Sequence, residues 1–317
     1  MKEIGGYIEL DKYELPMMHE KAIALNCGRN ALAYVIKARN IKKILLPKFL
    51  CDSVASVCRK ENVQIRYYSI GKNFLPYNVN VDEDEYLYLV NYYGQISNEE
   101  IIKCAKNDRI IVDNAQAYFQ EPIEGVDTLY TCRKYFGVAD GAFLYTKCRS
   151  DIDYELDISY DRMKFLLGRF ERTASEFYGE YSNNNKMFAV EPIKYMSKLT
   201  ENLLHGIDYQ KVKDIRTCNF VTLHSELRSI NGLSLKVSQG AFMYPLYIEN
   251  ADVVRKELQL RKIYVPTLWP DVFNICEKNE IEYDMAKNII PIPVDQRYNE
   301  SDMMYIVEQL KDIISQR

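Results

Sequence analysis

The chain has 317 residues, 47% of them apolar and 27% charged, with a net charge of −4. That length is long for one hydrophobic core, so two subdomains are expected, and the lack of a dense basic run excludes nucleic acid as the main partner. No stretch approaches the apolar length of a membrane-spanning helix, and Met1-Lys2-Glu3-Ile4-Gly5-Gly6 has no apolar leader core, so a cytoplasmic protein is expected.

Strands and helices alternate from about residue 22. Asn26-Cys27-Gly28-Arg29-Asn30 opens a helix over 31–38, with apolar positions at Leu32, Val35 and Ile36. A buried strand is expected over 43–47, a short helix over 53–60, strands over 63–70 and 86–93, and a helix over 99–106. Strands over 109–113, 128–132 and 142–146 follow. Short, nearly all-apolar strands between helices predict an α/β chain whose mostly parallel sheet is covered by helices on both faces. Most of the 26 tyrosines fall in such runs, Tyr86-Leu87-Tyr88-Leu89-Val90 among them, and read as core.

Beyond residue 150 the texture changes. Residues 151–204 are polar and helical in pieces, and Ser182-Asn183-Asn184-Asn185 reads as a loop. A long helix over 209–230 is stopped by Asn231-Gly232, since glycine accepts the left-handed cap. A strand over 241–248, a helix over 252–261, a short strand over 263–265, a strand over 289–294 and a helix over 300–314 complete the chain. The expected division is a large domain of residues 1–200 and a smaller α+β C-terminal domain of residues 201–317 that includes the long connecting helix.

Two segments carry the chemistry. Ile110-Ile111-Val112-Asp113-Asn114-Ala115-Gln116-Ala117 is a β-branched run ending in an acid, and Thr131-Cys132-Arg133-Lys134 is a strand end followed by a lysine. Ligands in parallel α/β sheets bind beyond the carboxyl ends of strands, where Asp113 and Lys134 both fall. Pyridoxal phosphate needs that pair: an amine for its aldehyde and an acid for its protonated ring nitrogen. Alone, Lys134 reads as a solvated surface lysine and Asp113 as a turn cap; the signal lies in the two together. Eight cysteines without a Cys-x-x-Cys pair, and three separated histidines (His19, His205, His224), make no zinc site. The histidines read as structural, and Cys27, Cys51 and Cys132 as small buried hydrophobes with free thiols.

The order of these pieces, with Ile44-Leu45-Leu46-Pro47, Val90-Asn91-Tyr92-Tyr93-Gly94 and Asp140-Gly141-Ala142, resembles the DegT/DnrJ/EryC1/StrS aminotransferases, which are fold-type-I pyridoxal-phosphate-dependent transferases. The likeness continues through Leu260-Arg261-Lys262-Ile263-Tyr264-Val265 and Ile290-Pro291-Ile292-Pro293-Val294, nearly the whole chain. It implies that Lys134 bonds the cofactor aldehyde and then shuttles a proton. Asp113 would pair with the ring nitrogen and Gln116 would sit near the phenolic oxygen. Thr131 would bind the phosphate with the amides of Gly28, Arg29 and Asn30 at a helix N-terminus. Phe49 is the candidate for stacking on the ring, against a competing reading as core. The implied enzyme moves an amino group from an amino acid such as glutamate to a keto sugar on a nucleotide carrier, as a homodimer, with no metal.

The departures from the family are local. Asn91 stands where the family has His, the stretch from Lys134 to Asp140 is one residue short, and the partner-subunit Asn-x-Arg segment is not recognisable in 151–194. A sugar-dehydratase relative carries His in place of the lysine, so Lys134 counts against it. A degenerate ligand-binding member is the other alternative, motivated by 151–194. A nucleotide-binding dehydrogenase is disfavoured because no Gly-x-Gly-x-x-Gly follows the first strand. Trp269 reads as a core or lid residue.

Overall fold

The computed structural model describes residues 4–105 and 109–316. Met1, Lys2 and Glu3 of the stretch read for a leader, and Lys106 at the expected end of the 99–106 helix, lie outside the described residues. Eight strands, β1 (Ile23–Leu25), β2 (Lys43–Pro47), β3 (Gln64–Ile70), β4 (Pro76–Tyr77), β5 (Tyr86–Val90), β6 (Ile110–Asp113), β7 (Asp127–Thr131) and β8 (Ala142–Tyr145), form one sheet in the order β1-β8-β7-β6-β5-β2-β3-β4. The central run β7-β6-β5-β2-β3 is parallel throughout. The flanking pairs β1–β8, β7–β8 and β3–β4 are antiparallel. All four residues of β6 are buried. A strand covered on both faces must be apolar at every position, which is why 110–112 reads as an unbroken run. Each of those side chains contributes about 1.5–3 kcal/mol by leaving water.

Helix α1 (Gly28–Ala38) leads from β1 into the parallel run, and α2 (Asp52–Lys60) and α3 (Asn98–Cys104) connect parallel strands. Then come α4 (Lys164–Glu171), α5 (Tyr178–Met187), α6 (Lys198–Leu204) and the long α7 (Tyr209–Leu227). A hairpin-like pair of antiparallel strands, β9 (Met243–Tyr247) and β10 (Ile289–Pro293), is interleaved with α8 (Ala251–Leu260), α9 (Val272–Ile275) and α10 (Ile281–Asn288), and α11 (Glu300–Ser315) ends the chain. Side chains of β9, β10, α7, α8 and α11 build a second apolar core around Phe220, Leu246, Leu258, Ile292 and Leu310.

Two ties fix where α1 and the β7–β8 turn sit. Arg39, the C-cap of α1, forks onto the buried carboxylate of Asp127 at the start of β7, with Nη2 to Oδ1 at 2.8 Å. The helix lies antiparallel to the strand, so its N-terminus comes back to the carboxyl end of β7. Gly141 closes the other side: its amide donates to the Asn26 carbonyl at 2.7 Å and its carbonyl accepts from the Cys132 amide at 3.1 Å. Its φ of +111° and a would-be Cβ within 3.2 Å of Cys132 and Thr200 admit only glycine. The neighbouring Asp140 is fully buried and accepts from the Ser197 amide at 2.8 Å, the Ser197 hydroxyl at 2.7 Å and the Thr200 hydroxyl, which anchors α6.

Three expectations are corrected. Ser182-Asn183-Asn184-Asn185 lies inside α5, not in a loop. Asn184 is buried there and donates to the Ala139 carbonyl at 2.9 Å, so tertiary hydrogen bonds override the local turn preference. Residues 263–265 form no strand, because the Ile263 amide turns back to the Leu258 carbonyl at 2.8 Å, and Lys262, at φ +61°, turns its amide to the Gln259 carbonyl, to finish α8. The strand expected to reach residue 93 stops at Val90, where Tyr92–Gly94 turns into a single 3-10 turn.

His19 supplies a stability test. Its ring is buried, stacked on Tyr130 at 4.0 Å, with Nε2 at 2.9 Å from the Tyr118 carbonyl and Nδ1 at 3.2 Å from the Tyr145 hydroxyl. A carbonyl only accepts, so Nε2 carries the proton and Nδ1 accepts from Tyr145. Burial lowers its pKa from 6.5 to about 4. The unfolded chain therefore binds the proton first, and stability falls as pH drops from 6.5 towards 4. The loss is about 3 kcal/mol. Denaturant titrations across that range should show this slope in the wild type and a flatter one in His19→Gln; equal slopes would refute the assignment.

Candidate functional site

Strands β6 and β7 run parallel with Asp113 opposite Leu129, so both end at one edge of the sheet. Asp113 closes β6 and is buried. Its Oδ2 accepts from the Tyr88 hydroxyl and its Oδ1 from the Ala115 amide, each at 2.8 Å. Two donors hold the carboxylate in one orientation. Burial, reinforced by the Asp113 charge, drives the Tyr88 phenol well above its usual range, so it remains a donor.

Lys134 follows β7 in a turn closed by the Tyr135 and Phe136 amides on the Cys132 carbonyl, both at 2.9 Å. Its side chain is reached by solvent, yet enough protein surrounds the ammonium to desolvate it and lower its pKa. A lysine with both properties lines a recess rather than the outer surface. Asp113 opposes the shift and is outweighed; it acts through space, not through an ion pair. That separation lets a ring lie between amine and carboxylate. The Phe242 ring, its centroid 5.4 Å from Nζ, forms part of the recess wall.

The same recess collects positive charge. Arg133 and Arg29 lie within electrostatic reach of Lys134 and of each other. Arg29 donates to the Asn185 backbone carbonyl at 3.2 Å, and Arg133 to the Asn185 side-chain carbonyl, with its guanidinium 4.6 Å from the centre of the Phe188 ring. Neither guanidinium has a carboxylate partner among the described residues. Burial lowers the Arg133 pKa, and Arg29 adds to that effect. Two such cations repel unless an anion joins them.

The start of α1 adds donors. Its first backbone bond runs from the Ala31 amide to the Cys27 carbonyl, and Cys27 makes no side-chain cap hydrogen bond. The amides of Gly28, Arg29 and Asn30 therefore point outward with only the weakly accepting Cys27 sulfur near the last two. Space around the Gly28 Cα is open. The Asn30 side chain is spent on Asn26 at 2.9 Å and the Pro192 carbonyl at 2.7 Å, so only its amide is available. Thr131 ends β7 and is half-buried. Gln116 is buried, and its Oε1 accepts from the Tyr93 amide at 2.9 Å. The group left to meet a ligand is its Nε2 donor, which suits an anionic oxygen.

Phe49 is corrected. Its ring is 0% exposed and lies against Tyr92 at 5.4 Å and edge-on to Trp269 at 5.2 Å. A stacking platform needs a free face, and a ring with no exposed surface offers none. Asn91 is also structural: it accepts from the Ile96 amide and donates to Asn114 and Gln120. Sequence reasoning missed Tyr88 and Arg133. Tyr88 could be found from its place in the strand that pairs with β6; Arg133 has no signal beyond adjacency to Lys134.

No protein-family model and no curated protein sequence matches the chain. Solved structures match it over nearly all its length. The PLP form of Spr1654 from Streptococcus pneumoniae aligns at a TM-score of 0.66 and 13% identity, covering 96% of this chain and 93% of that one. The sugar aminotransferase CalS13 from Micromonospora echinospora aligns at 0.63 and 16%, covering 92% and 87%. A DegT DnrJ EryC1 StrS aminotransferase from Brucella abortus aligns at 0.61 and 14%, covering 92% and 85%. The chain has the fold of these aminotransferases.

The opposing influences on Lys134 can be separated. Asp113→Asn removes the charge that favours the ammonium, so the pKa of Lys134 should fall further below that of an ordinary lysine. Amine labelling of Lys134 across pH, mapped by mass spectrometry, should show its midpoint moving down; an upward move would show that Asp113 does not face the amine.

Proposed function

We propose that the protein is a pyridoxal-phosphate-dependent aminotransferase in which Lys134 is the catalytic amine. The observation that carries this reading is the recess itself: a desolvated lysine, a carboxylate fixed by two donors, and a cationic cluster with free helix amides along one edge. When bound, pyridoxal phosphate supplies an amine-accepting aldehyde and a protonated ring that withdraws electrons. Asp113 would hold the proton at the ring nitrogen, its orientation set by Tyr88 and Ala115. Gln116 Nε2 would donate to the phenolic oxygen. Thr131, Arg29, Arg133 and the amides of Gly28, Arg29 and Asn30 would hold the phosphate.

Lys134 would bond the aldehyde carbon and, once displaced by the donor amine, move a proton between the substrate carbon and the cofactor. Its lowered pKa suits that task, because an amine must be unprotonated to attack and an acid–base group works best near ambient pH. The dehydratase alternative lacks a lysine here, so Lys134 favours transamination. The sugar substrate follows from the likeness to CalS13, a sugar aminotransferase, and the nucleotide carrier and glutamate donor from the resemblance in sequence. Residues 1–200 would form the large domain and 201–317 the small one.

A homodimer fits the surface of residues 152–190. No residue of α4 is buried, and Leu167, Phe170, Tyr178 and Tyr181 stand exposed on α4 and α5. Apolar side chains presented together call for a partner, and a second copy placed there would cover Asn185, which holds both arginines.

The test is the visible spectrum of the protein with pyridoxal phosphate, before and after glutamate. A band absent in Lys134→Ala and bleached by glutamate is expected. A band that glutamate and other amino acids leave unchanged would sink the transaminase reading. Arg133→Gln should weaken binding of pyridoxal phosphate roughly 10- to 150-fold, the value of a charged hydrogen bond. Binding of pyridoxal, which has no phosphate, should be unaffected; an equal loss for both would remove Arg133 from the phosphate site.

A further inference from the structure

Arg216 is fully buried at 1% exposure, on α7, and among the described residues no carboxylate hydrogen-bonds to it, Asp295 acting only through space. Burying a charge without such a partner is costly, and an apolar side chain would fill the space at less expense. Each of its three nitrogens donates one hydrogen bond. Nη2 donates to the Tyr135 carbonyl at 3.2 Å, Nη1 to the Ala241 carbonyl at 2.9 Å and Nε to Gln296 Oε1 at 2.8 Å, and the guanidinium lies 4.5 Å from the Tyr135 ring centre. Gln296 Nε2 then donates to the same Tyr135 carbonyl at 2.7 Å.

These acceptors share one neighbour. Tyr135 follows Lys134 in the chain, and Ala241 precedes Phe242, the ring beside the Lys134 ammonium. Tyr135 and Phe242 also touch each other, with centroids 5.9 Å apart. The lysine turn and the recess wall beside it are thus held by one guanidinium and one amide that come from α7 and from the loop after β10. Among the described residues, the charged and titratable groups that act on the ammonium through space are Asp113 from β6, Cys51 before α2, Arg29 from α1 and its neighbour Arg133.

We propose that Arg216 and Gln296 are positioning residues for Lys134: together they clamp the Tyr135 carbonyl and the Phe242 wall, so that the amine is held in its recess by the C-terminal part of the chain. The assignment of Lys134 as the catalytic amine rests on the proposed function; the clamp on its turn does not. Loosening the clamp lets the Phe242 wall move off the ammonium and completes its hydration, which raises the lysine pKa and leaves less free amine at neutral pH.

The experiment is pH-dependent reductive methylation of Lys134, mapped by mass spectrometry, on wild type, Arg216→Lys and Gln296→Ala, with thermal unfolding measured in parallel. Arg216→Lys keeps the charge but not the fork. Gln296→Ala deletes one of the two bonds to Tyr135 at a half-buried site and serves if the arginine variant does not fold. At neutral pH, labelling of Lys134 should fall about tenfold and its midpoint should rise by about one pH unit, while labelling of Lys43, far along the sheet, stays unchanged. A lower melting temperature with an unchanged Lys134 profile would reduce the clamp to a packing role and overturn the proposal. If wild type forms no band with pyridoxal phosphate yet the labelling shift appears, the proposed function falls and the clamp stands.

Discussion

An ammonium group that is reached by solvent yet poorly hydrated is the constraint on which the site depends. Burial disfavours the charge on Lys134 more than Asp113 favours it, and the balance is set by how far apart they are held. A direct ion pair would have fixed the lysine as a cation and spent the carboxylate. Asp113 is instead occupied by Tyr88 and Ala115, so it cannot swing across to the amine. The parallel pairing of β5, β6 and β7 makes this possible, because it brings Tyr88, Asp113 and the lysine turn to one side of the sheet.

Positive charge is managed differently. Arg29 and Arg133 are steadied by neutral acceptors on Asn185 and by the Phe188 face, which fix their direction without neutralising them. Arg39, by contrast, is matched to the buried Asp127 and serves to align α1. One helix therefore carries an arginine whose charge is spent on architecture and another whose charge remains available. On the proposed reading the second meets a phosphate, together with the amides at the same helix end.

Much of this was legible in the sequence because its signals are local. An apolar β-branched run that ends in an acid can hardly be anything but a buried strand with a carboxylate at its edge, and Asp113 follows. Lys134 follows from its spacing behind β7, and the alternation of strands and helices from the periodicity. What was not legible depends on contacts across the chain. Ser182-Asn183-Asn184-Asn185 is a poor helix in isolation and is helical because Asn184 reaches Ala139. Phe49 is as apolar as any stacking ring, and only its full burial, against Tyr92 and Trp269, shows that it offers no free face. Arg216 is separated from the carbonyl it holds by 81 positions, a distance at which no spacing rule operates.

Gly141 joins the two halves of the site. Its amide is bonded to the residue just before the α1 entry and its carbonyl to the start of the lysine turn. The entry to α1 and the lysine turn are therefore tied to the two peptide groups that flank a single residue, in a conformation that no side chain can share. The spacing between them is that of a ruler rather than of two independently mobile loops. On the proposed reading, a ligand that reaches both ends must match it in length as well as in charge, so compounds with the same phosphate and the same aldehyde on a longer or shorter tether would satisfy one end and leave the other unmet. On that reading, selection by length would arise from the backbone, before any side chain makes contact.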